Sequence, residues 1–189
     1  LFWDLSSAFD TIDIDILCSK LALYGVGNRS VGWFWSFLSN RRQTVQVGSS
    51  KSDAETTSVG CPQGSLLSPL LFLIYVSDME LWVEHASVQG YADDTAMSLS
   101  SKSKKEVIEK LECDARHILR FMASNFLVAN PKKTGFLLIR RTQSTPPCTI
   151  KVGDVDIAEE ETHRVLGLTI SNTLSWTNHV YGKGQLLSS

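Results

Sequence analysis

The chain has 189 residues, 43% hydrophobic and 20% charged, with a formal net charge of −2. This composition excludes a disordered polymer and suffices for one domain with a real core. The slight acidity argues against a surface that grips nucleic acid everywhere, but not against local basic groups beside an acidic centre.

Residues 1–6, LFWDLS, read as an apolar strand interrupted by one charge, Asp4. Residues 14–24 place Ile14, Leu17, Leu21 and Tyr24 near helical spacing, and the following GVG stops that helix. Residues 30–39 suit a short aromatic-rich helix. TVQV at 44–47 alternates like a strand, and 54–59 is expected to return antiparallel to it across the polar GSSKSD. After Pro62 and Gly64, Ser68 reads as an N-cap and Pro69 as the first helical residue, opening a helix to about residue 83.

Two short strands, SVQGY and TAMSL, flank Asp93 and Asp94. Residues 104–127 form the clearest helix, with Val107, Ile108, Leu111, Ala115, Ile118, Leu119, Met122 and Phe126 on one face. NPKKT breaks it. Further strands are expected at 135–139, 148–152, 155–157 and 164–170. This irregular alternation with several hairpins predicts an α+β fold, a largely antiparallel sheet with helices packed on one face. Cys18, Cys61, Cys113 and Cys148 lack zinc-motif spacing and read as free thiols. The longest apolar run, 70–76, is too short to span a bilayer, so no membrane partner is expected. The pairs Arg41–Arg42, Lys104–Lys105, Lys132–Lys133 and Arg140–Arg141 fit solvated faces or local phosphate contacts equally well.

The carboxylates raise the chemical question. Adjacent Asp93 and Asp94 repel each other, and no basic residue lies close in sequence. Alone, the pair fits a solvated hairpin tip, and Asp4 alone fits an exposed strand end. Together, three carboxylates on strand ends suit a hard cation such as Mg²⁺, which takes oxygen ligands. Phosphoryl transfer with two such ions about 4 Å apart requires convergent carboxylates on rigid backbone.

Four blocks make the pattern specific. DLSSAFDTID at 4–13, GCPQGSLLSPLLFLIYVSDM at 60–79, YADD at 91–94 and NPKKT at 130–134 occur in order. They resemble the polymerase palm of reverse transcriptases encoded by non-LTR (LINE and jockey-like) retrotransposons. SFLSNRRQTVQV at 36–47 resembles that family's connector, and RVLGLTI and LSWTNHV resemble its run towards the thumb. The resemblance implies an RNA-directed DNA polymerase acting on an RNA template, a DNA primer and deoxynucleoside triphosphates. Its cofactor would be two Mg²⁺ ions, with Mn²⁺ as a substitute.

The same resemblance implies Asp4, Asp93 and Asp94 as catalytic metal ligands and Phe9 as a gate against the 2′-hydroxyl. It implies Gln63 and Gly64 against the incoming nucleotide, Lys133 (or its neighbour Lys132) at the triphosphate, and Arg41 and Arg42 at nucleic-acid phosphates. It implies a palm over residues 1–173, lacking fingers before it, and a cut thumb segment over 174–189. Trp3 and Ile14 depart from the family pattern without touching a metal ligand. The missing ends keep a second reading open, an inactive retroelement remnant or binding module. A nuclear site follows from the resemblance only; otherwise the sequence indicates no more than an intracellular protein, nuclear or cytoplasmic.

Overall fold

The computed structural model describes residues 1–91, 94–130, 133–140 and 146–176. In chain order the elements are β1 (Phe2–Asp4), α1 (Ile14–Leu23), α2 (Asn28–Leu38), β2 (Arg41–Gln43), β3 (Gln46–Val47), β4 (Ser50–Lys51), β5 (Glu55–Thr57) and α3 (Ser68–Val76). A 3-10 turn (Ser77–Trp82) leads to β6 (Ser87–Tyr91), β7 (Asp94–Ser98) and α4 (Lys104–Ser124). The chain continues with β8 (Phe136–Leu137), β9 (Thr149–Val152), β10 (Val155–Glu160), β11 (Thr162–Val165) and β12 (Leu168–Ser171). The class is α+β, as the sequence pattern predicts. The strands form several small sheets, mostly antiparallel.

The chain divides into two compact units. One joins Leu1–Leu5, Glu80–Arg120 and the chain from Ala129 on; the other joins Ser6–Met79 and Phe121–Val128. In the first unit, β1, β7 and β6 form an antiparallel sheet in that order. Alternation along β1 buries Leu1, Trp3 and Leu5. The Trp3 indole N–H donates to Met97 Sδ at 3.0 Å, tying β1 to the buried side of β7. On α4, Val107, Leu111, Ala115 and Ile118 are buried at steps of three and four. Asp114, on the same helix, is fully buried. Its Oδ1 accepts the Glu84 N–H at 3.0 Å, and its Oδ2 accepts those of His85 (3.0 Å) and Ala86 (2.7 Å). Those three bonds fasten the segment entering β6 onto α4. A second sheet, β8-β10-β9, pairs β10 with β8 in parallel and with β9 as a hairpin.

In the second unit, Asp13 caps α1 by accepting the Ile16 N–H at 2.9 Å. Helix α1 packs on α2 and α3. The buried Lys20 ammonium donates to the Tyr75 carbonyl and to Asp78 Oδ1, both at 2.5 Å. The fully buried Tyr75 hydroxyl donates to the Asn125 carbonyl (2.7 Å) and accepts the Asp13 N–H (3.3 Å). Burial pushes its pKa up to about 12.

Local differences from the sequence pattern have physical causes. Strand β5 pairs with Arg41–Gln43, not with 44–47, while β3 and β4 close a smaller hairpin between them. Ser68 is not an N-cap. Its hydroxyl donates to the Pro62 carbonyl at 2.7 Å, and Leu67 holds the cap position without a side-chain bond. The apolar run 164–170 is two strands, because Leu166 and Gly167 both take positive φ and turn the chain into the β11–β12 hairpin. Phe126 leaves the α4 face. It sits past the helix end at φ 52° and is 62% exposed, while Phe121 and Leu127 are buried.

Candidate active site

The register of the first sheet decides the geometry. Pairing Phe2 with Ala96 and Trp3 with Thr95 sets Asp4 directly opposite Asp94. Cross-strand partners share one face of a sheet, so the two carboxylates stand side by side. Both are half-buried, whereas Trp3 and Thr95, the neighbouring pair in the register, are buried. Asp94 is also the partner of Tyr91 across the β6–β7 hairpin. Asp93 lies outside the described residues.

The other edge of β1 is held by the segment after α4. Leu5 bridges Ala129, the Asn130 N–H donates to the Asp4 carbonyl at 2.8 Å, and Phe2 exchanges two backbone bonds with Gly135. The Asn130 carbonyl accepts the N–H groups of Lys133 (3.1 Å) and Thr134 (3.0 Å) and the Thr134 hydroxyl (2.9 Å). This compact turn carries Lys133, whose Nζ lies 3.3 Å from Asp4 Oδ1. Lys132 lies outside the described residues.

Asp4, Asp94 and Lys133 line a cavity of about 450 Å³ together with Phe2, Glu160, His163 and Arg164, among others. Sequence reasoning did not single out the last three. Their signal is weak, a polar stretch ahead of an apolar run. His163 stacks on Phe2, with ring centroids 4.2 Å apart and planes at 12°, and its Nδ1 lies 2.7 Å from Glu160 Oε2. That stack requires glycine at 135, because a Cβ there would collide with the His163 ring.

The second unit holds the remaining sequence-predicted residues. Half-buried Phe9 packs on Phe72 with centroids 4.8 Å apart. The exposed Gln63 amide donates to both oxygens of Asp10, at 3.0 and 3.2 Å. Gly64 has φ +81° and open space around it, so backbone conformation, not crowding, is what favours glycine there. Crowding acts at Gly60, where a Cβ would lie 2.8 Å from the Asp10 backbone. The Gly60 and Cys61 N–H groups donate to the Ile12 and Phe9 carbonyls, each at 2.8 Å, laying this turn along residues 9–12. Arg41 donates to the carbonyls of Leu38 (3.0 Å), Val59 (3.0 Å) and Gly60 (2.7 Å), so its guanidinium braces the same turn; Arg42 is exposed.

The donor chemistry fits a hard divalent cation. Two facing carboxylates offer oxygen ligands and repel each other without a cation, and among the described residues the exposed Lys133 that pairs with Asp4 offsets them only weakly. Among the described residues, no helix is long and apolar enough to cross a membrane.

Comparison with known sequences points the same way. The family described as reverse transcriptase (RNA-dependent DNA polymerase) matches residues 1–170. The RNA-directed DNA polymerase from mobile element jockey of Drosophila melanogaster is 30% identical over 154 residues, covering 77% of this chain and 16% of that protein. A protein named probable RNA-directed DNA polymerase from transposon BS, from the same organism, is 28% identical over 194 residues, covering 95% of this chain and 21% of its own length. The corresponding X-element protein is 25% identical over 191 residues, covering 95% and 20%. The chain therefore spans about a fifth of the length of these relatives.

Proposed function

Because the chain belongs to the reverse transcriptase family, in its non-LTR retrotransposon branch, we propose that it supplies the palm of an RNA-directed DNA polymerase. Members of this family use a divalent cation and act on a nucleic-acid template, a primer and deoxynucleoside triphosphates. The observation that carries the reading is the register pairing Asp4 with Asp94 beside Lys133.

In this reading Asp4, Asp93 and Asp94 hold Mg²⁺. Bound there, the ions supply charge stabilisation at the phosphoryl oxygens and a more acidic primer 3′-hydroxyl. The chain's own residues do the positioning. Strand pairing fixes Asp4 and Asp94 on rigid backbone. Lys133, on its Asn130-closed turn, pairs with Asp4 and reaches towards the triphosphate. Phe9, backed by Phe72, presents a flat ring where a 2′-hydroxyl would collide. Gln63 and Gly64 form the surface for the incoming nucleotide and template base, while Arg41 braces that turn and Arg42 faces phosphate. The palm covers residues 1–173, with 174–189 beginning the next segment, and synthesis takes place in the nucleus.

The test is extension of a DNA primer on an RNA template with deoxynucleoside triphosphates and Mg²⁺, using the full-length protein that carries this chain. Template-dependent synthesis is expected, with ribonucleotides used poorly. Asp93→Asn is expected to lower the rate by at least about a hundred-fold. Wild-type synthesis by that variant would refute the assignment.

A further inference from the structure

A second group of ligating atoms lies outside the carboxylate cavity. His85, Cys113 and Asp114 each place one ligand atom within 4.8 Å of the other two. Cys113 and Asp114 are neighbours on α4, and His85 belongs to the loop entering β6. That loop is held in place, since the Asp114 carboxylate accepts the N–H groups of Glu84, His85 and Ala86 at 2.7–3.0 Å. The same bonds that fix the loop bring the His85 side chain to Cys113.

An ionised carboxylate offers about four acceptor positions. Three are taken, two on Oδ2 and one on Oδ1, which leaves Oδ1 one lone pair. The donor set is then imidazole nitrogen, thiolate sulfur and carboxylate oxygen. This set suits Zn²⁺, with three protein ligands and a fourth position for water, and not Mg²⁺, which takes oxygen throughout. Burial falls from Asp114, fully buried, through half-buried Cys113 to exposed His85, which leaves an entry path from solvent.

We propose that His85, Cys113 and Asp114 form a zinc site that clamps the loop before β6 onto α4. Binding forms a Zn–S bond and releases the Cys113 thiol proton to solvent. The site is independent of the polymerase reading and of the Asp4–Asp94 pair.

Co²⁺ titrated into the purified reduced chain tests it, because a Co²⁺–thiolate bond gives a charge-transfer band that carboxylate or imidazole ligation does not. The expected result is a saturable one-to-one band that Zn²⁺ abolishes. Cys113→Ser should remove it, His85→Ala should weaken Co²⁺ binding at least about ten-fold, and Asp94→Asn should leave it unchanged. Zn²⁺ should also raise the thermal midpoint of the wild type but not of Cys113→Ser. Absence of the band, or its survival in Cys113→Ser, would overturn the proposal. So would undiminished affinity in His85→Ala.

Discussion

Asp114 and the Asp4–Asp94 pair belong to the same compact unit, yet they are treated in opposite ways. Asp114 is wholly buried, and three backbone N–H groups meet its carboxylate. Asp4 and Asp94 face each other across two strands, and among the described residues Asp4 pairs with Lys133, whose side chain is 66% exposed. A carboxylate that serves the fold is met by donors from the fold itself, and the metal proposed at Asp114 would use the one acceptor position those donors leave and clamp the same loop. In the proposed reading, the carboxylates set opposite one another are kept for a cation that arrives from outside. The second unit repeats the first pattern with opposite charge, since buried Lys20 is met by Asp78 and a carbonyl.

The largest effect expected from breaking this contrast is at Asp114. Asp114→Ala leaves three backbone N–H groups in the protein without their acceptor, at about 1–3 kcal/mol each where water does not replace it. A loss of about 3–5 kcal/mol of stability in urea unfolding is expected. A loss below about 1 kcal/mol would show that the loop before β6 does not depend on this anchor.

The next effect is pH dependence through Tyr75. Its pKa is raised from the ordinary 10.0 to about 12 in the folded protein, so the folded state holds the phenolic proton more tightly than the unfolded chain. The stabilisation is present in full below pH 10 and is lost as pH rises from 10 to about 12, by about 2–3 kcal/mol. Comparing stability across that window in the wild type and Tyr75→Phe checks it, and the variant should lack this part of the slope.

A smaller effect is expected beside the carboxylates. Gly135→Ala forces the His163 ring off Phe2, at a cost of about 1–2 kcal/mol in unfolding experiments. An unchanged stability would mean that the stack contributes nothing to β1.

The sequence made α1 and α4 legible because their apolar spacing is strong, and α4 begins at the residue where its pattern begins, whereas the helix read from Ser68–Pro69 ends at Val76 and gives way to a 3-10 turn. The strand partners in 41–59 were not legible. Hairpin register there depends on which short polar segment turns, and alternation alone does not fix that choice. Leu166–Gly167 was hidden inside an apolar run, because a turn that takes a leucine at positive φ has no compositional signal. At the site, Asp4 and Asp94 could be singled out as types, but their pairing depends on the β1–β7 register, which spans ninety residues of chain. The bracing by Arg41 and the approach of His163 to Gly135 are tertiary facts with no local signature.

The most direct test pairs catalysis with folding in Asp94→Asn, prepared in the full-length protein. Removing one of two facing charges should leave metal-free stability equal to wild type or higher, by up to about 1 kcal/mol, while primer extension falls by at least about a hundred-fold. A folded variant that extends primers at the wild-type rate, or one that loses stability as Asp114→Ala does, would contradict the claim that this carboxylate is kept for chemistry and not for the fold.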